Sequence, residues 1–386
     1  MSPRDKGEKG YRLEELLRAY FLRAGFFVVR GVPFMHAGDD LTDIDIWLYE
    51  RPTGSSRRRQ IVDAKSKTKP KAVERLLWTK GLAELLDVDG AWVATTDARP
   101  MLRNISKKLG VSVLDGSDIR RVGDSDKVVY PDRFTEEELI AQITAIDKAR
   151  RNKEFQQQYH DIKHSLIDNF GAGTINRALD TFAFFSSAAL TAHPNTGPSE
   201  AALRLAYFAA SVAAIGLDFV NAEVSFRSAD ERHRALVNAI RYGSVDETSG
   251  SERLRLAIGL IEKYAPSGDA TARSIDRAVK HDLAEIPAEI IAEHVVKHAK
   301  PGDLFQIARR LEHAAFLRTI IPFDTLGIEE KAFVAVLLDF AGIERARFAS
   351  SHTVSLEKNP SAKTKAERAV SLGPLFSGLE NKNGES

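Results

Sequence analysis

The chain has 386 residues, with 55 Lys+Arg against 54 Asp+Glu, 43% apolar residues and no Cys. That length exceeds one typical core and suits two domains, and the apolar share excludes a mostly disordered chain. The lack of Cys excludes a disulfide scaffold, a Cys-ligated zinc site, an iron–sulfur cluster and a thiol nucleophile.

The opening MSPRDKGEKG is polar and mixed in charge, without the apolar stretch of a secretory signal, so a cytoplasmic protein is expected. Residues 11–24 place Leu13, Leu16, Leu17, Tyr20, Phe21 and Ala24 on one stripe, which predicts a helix ended by Gly25. Phe27 to Val32 is β-rich. Asp43 to Tyr49 alternates, with Ile44, Ile46 and Leu48 on one face and Asp43, Asp45, Trp47 and Tyr49 on the other. Gln60 to Lys65 alternates again, placing Ile61, Asp63 and Lys65 on one face. A helix follows at about 71–86, then a strand Ala91 to Thr95, a helix at about 99–109 and a short strand Val111 to Leu114. This order predicts a mixed α/β sheet flanked by helices.

From about 134 the pattern turns helical. Phe134 to Leu166 reads as one helix, with Thr135 as N-cap and Glu138 three residues on. Helices are expected at 174–192, 199–226, 229–242, 251–265, 270–283, 287–299, 302–318 and 328–346. Leu205 to Leu217 is the longest apolar stretch, 13 residues between Arg204 and Asp218. That is short for a bilayer span and predicts a buried helix, with no membrane partner. The expected organisation is a sheet domain over 1–130, a larger all-α domain over 131–350 and a polar, mobile tail over 351–386.

The near-zero net charge hides an asymmetry. Residues 1–130 carry 24 Lys+Arg against 19 Asp+Glu, and 51–80 carry ten basic residues against only Asp63 and Glu74. This basic segment suits a polyanion, with Arg57, Arg58, Arg59, Lys67 and Lys69 as candidate nucleic-acid contacts; a solvated basic loop has the same composition. The acidic bias of the remainder argues against its being the main nucleic-acid clamp. No G-x-x-x-x-G-K-[ST] occurs, so no NTPase motor is expected in this chain.

Two acidic residues sit on strands expected to pair: Asp45 in LTDIDIW and Asp63 in IVDAK, with Lys65 two residues beyond. If the strands pair, two carboxylates and an ammonium converge at one sheet edge. Carboxylate oxygens suit Mg²⁺, a hard octahedral ion, and a neighbouring lysine adds positive charge where a reacting phosphate gains negative charge. Glu14 borders the apolar stripe of its helix and is placed to look along the sheet, whereas Glu15 falls on the solvent side.

In GYRLEELLRAYFLRAGFFVV, LTDIDIW, RQIVDAKSK and DGAWVATT followed by GVSVLDGSDI, residues 7–122 resemble the PD-(D/E)XK restriction-endonuclease-like superfamily. The nearest likeness is to its Mrr-type restriction enzymes and Holliday-junction resolvases. The resemblance implies an endonuclease that hydrolyses DNA phosphodiesters with Mg²⁺, or Mn²⁺ as substitute, in bacterial antiviral defence or DNA processing. Carried over, Asp45 and Asp63 are metal ligands, Lys65 is the catalytic lysine, Glu14 is the helix-borne acid, and the Ala64 carbonyl also ligates. Alternation cannot choose between Asp43 and Asp45 as the ligand; the setting Ile44-Asp45-Ile46 fits the family better. Thr42 stands where the family often has Pro near this acid. The other readings are an inactive nucleic-acid-binding or assembly module with the same fold, and a nuclease for RNA or branched DNA. A protein partner or a second copy is expected to dock through the helical region.

Overall fold

Helix α1 (Pro3–Arg23) leads into strands β1 (Phe27–His36), β2 (Asp39–Glu50) and β3 (Arg58–Lys65). Then follow α2 (Ala72–Leu85), β4 (Gly90–Thr95), α3 (Met101–Leu109), β5 (Ser112–Leu114) and α4 (Gly116–Gly123). These elements come from a computed structural model, which describes residues 3–65, 71–124, 130–194, 196–298 and 303–351. The tail expected over 351–386 lies, from residue 352 onward, outside the described residues.

The strands form one sheet in the order β1-β2-β3-β4-β5. Strands β1, β2 and β3 pair antiparallel, and β3, β4 and β5 pair parallel. Parallel neighbours need a crossover, which α2 and α3 supply. The β1–β2 hairpin turns through Ala37 (φ 52°) and Gly38 (φ 91°), the two positive angles of a tight two-residue turn. Both strands therefore run further toward this turn than their alternation predicts.

Each face of the sheet is covered. On one face Leu13, Leu17 and Phe21, spaced four apart along α1, pack on Val28, Ile46, Leu48 and Val62. Gly25 (φ 101°) lets the chain leave α1 and re-enter as β1. On the other face Trp47, Tyr49, Ile61 and Val93 meet α2 and the helical remainder in a second cluster.

That remainder comprises α5 (Glu136–Arg150), α6 (Glu154–His164), α7 (Ala172–Thr191), α8 (Gly197–Glu223), α9 (Ala229–Tyr242), α10 (Glu247–Tyr264), α11 (Gly268–Glu285), α12 (Ala288–His298), α13 (Asp303–Phe316), α14 (Ile328–Phe340) and α15 (Arg345–Ser350). The Thr135–Glu138 capping box forms as expected. The single helix expected over 134–166 is two. Arg151 adopts φ 58°, and the buried Asp147 carboxylate accepts the N–H groups of Phe155 (3.1 Å) and Gln156 (2.9 Å) at the start of α6. A side chain of the first helix thus caps the second. Likewise 328–346 divides at Gly342 (φ 66°).

Helix α8 is long and apolar enough to cross a membrane, unlike the 13-residue stretch read from sequence, and 94% of its most apolar window is buried in the protein. It packs between α7 and α13. The chain up to His352 forms one compact unit. The change near residue 130 is one of secondary structure, because the hydrophobic core is continuous across it. Trp47 and Tyr49 of the sheet touch Phe170 at 5.3 and 5.9 Å between ring centres, and Tyr49 meets Phe305 at 5.9 Å.

Polar anchors reinforce that junction. Asp218, buried in α8, accepts from the Tyr49 hydroxyl (2.8 Å) and from Arg57 Nη2 (3.0 Å). Glu312 of α13 accepts from Arg18 of α1 (3.0 Å) and from Arg133 (2.7 Å), all three buried. Arg30 of β1, 2% exposed, bridges Glu14, Glu15 and Glu137. Glu15 is therefore not free in solvent: half-buried, it sits between Arg18 and Arg30, which also pair with Glu312 of α13 and Glu137 of α5.

Candidate active site

The β2–β3 ladder runs from Glu50↔Arg58 to Ile46↔Val62 and stops there. One step further the same register sets Asp45 opposite Asp63. The strands splay at this point, and the Asp45 side chain takes over the ladder's role: its Oδ2 accepts the Ala64 N–H at 2.7 Å. Asp45 is thereby held at the end of the pairing, beside the next strand's acid.

Lys65 Nζ lies 3.5 Å from Asp45 Oδ2 and 3.8 Å from Asp63 Oδ1, so the two carboxylates and the ammonium do converge. Asp45, Asp63 and Asp43 line a recess of about 10 Å³, closed on its far side by Trp78, Thr79 and Leu82 of α2. That volume admits about one water-sized particle. Asp43 is exposed and no ion pair joins it to Lys65, so the geometry gathers the site around Asp45.

Burial pushes the Asp45 carboxyl up to about 6, and the neighbouring carboxylates of Asp63 and Glu14 add to the rise. Lys65 and the Ala64 N–H pull the other way. Two or three acids sharing a half-dry edge resist ionising together, and this tension is what a bound cation relieves.

Asp63 is 4% exposed and is clamped by a residue the sequence reading did not select. Arg75 of α2 donates from Nε to Asp63 Oδ2 at 2.7 Å and from Nη2 to Oδ1. Its guanidinium lies 4.1 Å over the Trp78 ring. The available signal was the spacing of Arg75 and Trp78, three apart on one helix face, beside a strand acid that must find a cation once buried.

The expected position of Glu14 is partly met. Its field reaches Asp45, yet its Oε2 accepts from Arg30 Nη2 at 2.8 Å and is held on the α1 side. Among the described residues, no group of three or more His, Asp or Glu is arranged to hold a metal ion. The donor chemistry that remains is two carboxylates around an ion-sized recess, with the Arg75 guanidinium already on Asp63. Ala64 enters the site through its N–H.

The arginine run does not form the expected surface. Arg57 turns inward onto Asp218 with its side chain only 5% exposed. Arg59 donates to the Asp87 carbonyl and lies 5.5 and 5.6 Å from the Phe170 and Phe219 rings. Only Arg58 is open, loosely paired with Glu50 at 3.8 Å. All three stand toward the other end of β3, four to six residues before Asp63 and so about 13–20 Å from it at about 3.3 Å per residue. The physical reason is that the helical remainder covers this end of the sheet. Lys67 and Lys69 lie outside the described residues. Lys80 pairs with Glu84, four residues on along α2.

Comparison with family models, with curated proteins and with solved structures finds no match to this chain.

Proposed function

We propose that the chain is a metal-dependent endonuclease that hydrolyses DNA phosphodiester bonds, in bacterial defence or DNA processing, and that it works in the cytoplasm. One observation carries this reading: Asp45 and Asp63 line an ion-sized recess at the end of paired strands, and Lys65 Nζ lies 3.5 and 3.8 Å from their carboxylates. The helix–three strands–helix–strand order, with these residues on β2 and β3, supports this reading.

The donor types fit a hard divalent cation, Mg²⁺ with Mn²⁺ as substitute, held by Asp45 and Asp63. Bound there, such an ion lowers the pKa of its water and offsets phosphate charge. The chain's own residues do the rest. Lys65 Nζ, one-third exposed, donates to a non-bridging phosphate oxygen as negative charge gathers on it. The Ala64 N–H fixes the Asp45 carboxylate. Arg30 holds Glu14 beside Asp45. Arg75 has to leave Asp63 for that carboxylate to take a metal, and Trp78 offers its guanidinium a surface to lie on. In the hydrolysis the attacking water gives up a proton to solvent as its oxygen bonds to phosphorus, the bond from phosphorus to the leaving sugar oxygen breaks, and that oxygen takes up a proton from solvent.

A second reading, a non-cleaving nucleic-acid-binding or assembly module, is favoured by the same Arg75–Asp63 pair, which satisfies Asp63 without a metal. In either reading the helical region serves a protein partner or second copy; Leu256, Leu260 and Tyr264, spaced four apart on α10, are 68%, 51% and 71% exposed. The test is cleavage of supercoiled plasmid, a branched junction and single-stranded RNA with Mg²⁺ or Mn²⁺. Wild type runs beside Asp63→Ala and Lys65→Ala. Metal-dependent cutting lost in both variants supports the nuclease and identifies its substrate. No cutting, with metal titration unchanged by Asp63→Ala, supports the binding module.

A further inference from the structure

A second cavity, of about 460 Å³, opens where the end of α1, the 130–133 segment, α13 and the start of α14 meet. Its size falls in the range of small-molecule sites. It shares no residue with the Asp45–Asp63 recess.

Its polar wall is built mainly of donors. Arg309 is half-buried and makes no ion pair among the described residues. Its Nη2 donates to the Leu22 carbonyl at 3.0 Å, its Nη1 reaches Gln306 Oε1 at 3.4 Å, and its Nε is buried without an acceptor. The neighbouring Arg310, by contrast, is neutralised by Glu329 and Glu330. His313 Nδ1 lies 2.7 Å from Arg133 Nη1. A guanidinium can only donate, so Nδ1 accepts and the ring proton sits on Nε2 as a further donor. Burial and the adjacent Arg133 hold His313 below its ordinary pKa, which keeps this tautomer neutral. Tyr130 contributes a ring edge-on to His313, 6.4 Å between centres, and a hydroxyl. Leu22, Ile321 and Leu326 supply the apolar wall. Two carboxylates line the cavity: Glu330, already paired with Arg310, and Glu312, whose Oε1 is used by Arg18 and Arg133 and whose buried Oε2 has no hydrogen-bond partner.

We propose that this cavity binds a small ring-bearing organic anion, up to a mononucleotide in size, with its phosphate or carboxylate on Arg309. The ring lies between Tyr130 and Leu326, where His313 Nε2–H meets a ring acceptor and Glu312 meets a ring N–H. An unpaired guanidinium fixed by a backbone carbonyl is a ready anion contact, and buried orphan atoms mark where hydrogen bonds are still to be made.

The test is calorimetric titration of the full chain, free of metal and nucleic acid. Adenosine and guanosine 5′-monophosphates are the phosphate arms, 4-hydroxybenzoate is the carboxylate arm, and adenosine is the neutral control. At least one anion is expected to bind wild type, with adenosine silent. Arg309→Ala is expected to weaken that binding roughly tenfold to a hundredfold, the loss of a charge-assisted hydrogen bond. Leu326→Trp, which keeps every polar group but fills the cavity, is expected to abolish it. Thermal unfolding of both ligand-free variants checks that they fold. No binding by any anion, binding that survives both variants, or adenosine binding as tightly as its monophosphate would overturn the proposal. Because no metal or nucleic acid is present, failure here leaves the nuclease reading standing.

Discussion

Replacing Arg75 by alanine separates the metal-binding reading of Asp63 from the structural one, because the two readouts move in opposite directions. In the metal-free protein the substitution removes two charge-assisted hydrogen bonds to a carboxylate only 4% exposed, leaving it Lys65 at 3.8 Å. Breaking a buried pair from one side costs about 3–5 kcal/mol. The Arg75 side chain is 26% exposed, so the lower end applies, about 3 kcal/mol, or a fall of roughly 5 °C in melting temperature for a unit this large. Metal binding should change the other way. Wild type has to surrender the Arg75–Asp63 pairing before Asp63 can take an ion, and the variant does not. The same energy then returns as roughly hundredfold tighter Mn²⁺ binding, read by calorimetry or by quenching of tryptophan fluorescence, since Trp78 lines the recess. Arg75→Lys, which keeps a charge but not the two-pronged geometry, should fall between. A variant that is destabilised yet binds Mn²⁺ no better would mean that Asp63 is a structural partner only. A variant with unchanged stability would mean that the pairing contributes nothing.

Asp45→Asn should change the pH dependence of stability. The folded Asp45 carboxyl titrates at about 6, above its ordinary value of 3.8, so between those limits the folded state binds more protons than the unfolded one. Wild-type stability therefore loses this contribution as pH rises from about 4 to about 6, and the variant escapes the loss. Urea midpoints at pH 4 and pH 7 should show the variant gaining on wild type by up to about 3 kcal/mol at the higher pH; a difference independent of pH refutes the assignment. Asp218→Ala strands the buried Arg57 and the Tyr49 hydroxyl and should cost about 3–5 kcal/mol in urea unfolding followed by tryptophan fluorescence. A loss under 1 kcal/mol would show that the sheet and α8 are not joined through this residue. Arg58→Ala should leave nucleic-acid affinity and its salt dependence unchanged, because Arg58 stands at the far end of β3, whereas a drop of about one in the salt slope would return that edge to the interface. Thr135→Ala should cost about 1 kcal/mol by loss of the capping box, measured by thermal melting.

Local signals in this chain decided local structure well. Alternation through Ile44-Asp45-Ile46 and Ile61–Lys65 located the strands, and the pairing of those strands brought Asp45, Asp63 and Lys65 together. The misread side chains share one cause: each has an environment set by a distant segment. Arg57 reads as exposed in a basic loop, and only Asp218, 161 residues away, explains why it is buried. Glu15 reads as solvent-facing on the wheel of α1, until Arg30 of β1 pairs with it and Arg18 beside it reaches Glu312 of α13. Arg75 and Asp63 are 12 residues apart with no periodicity linking them, because helix and strand meet through tertiary packing. Charged residues carry this difficulty more than apolar ones. An apolar stripe has one destination, the core, whereas a charged side chain goes to solvent or to a partner, and the partner lies in no local window. The buried ion pairs here are concentrated where the helical remainder meets α1 and the sheet. They run from Glu312 through Arg18, Glu15 and Arg30 to Glu14, whose field reaches Asp45. The remainder thus does more than cover the sheet: by holding α1 through these pairs it fixes where Glu14 stands relative to Asp45, and so shares in setting the electrostatics of a recess to which it contributes no lining residue.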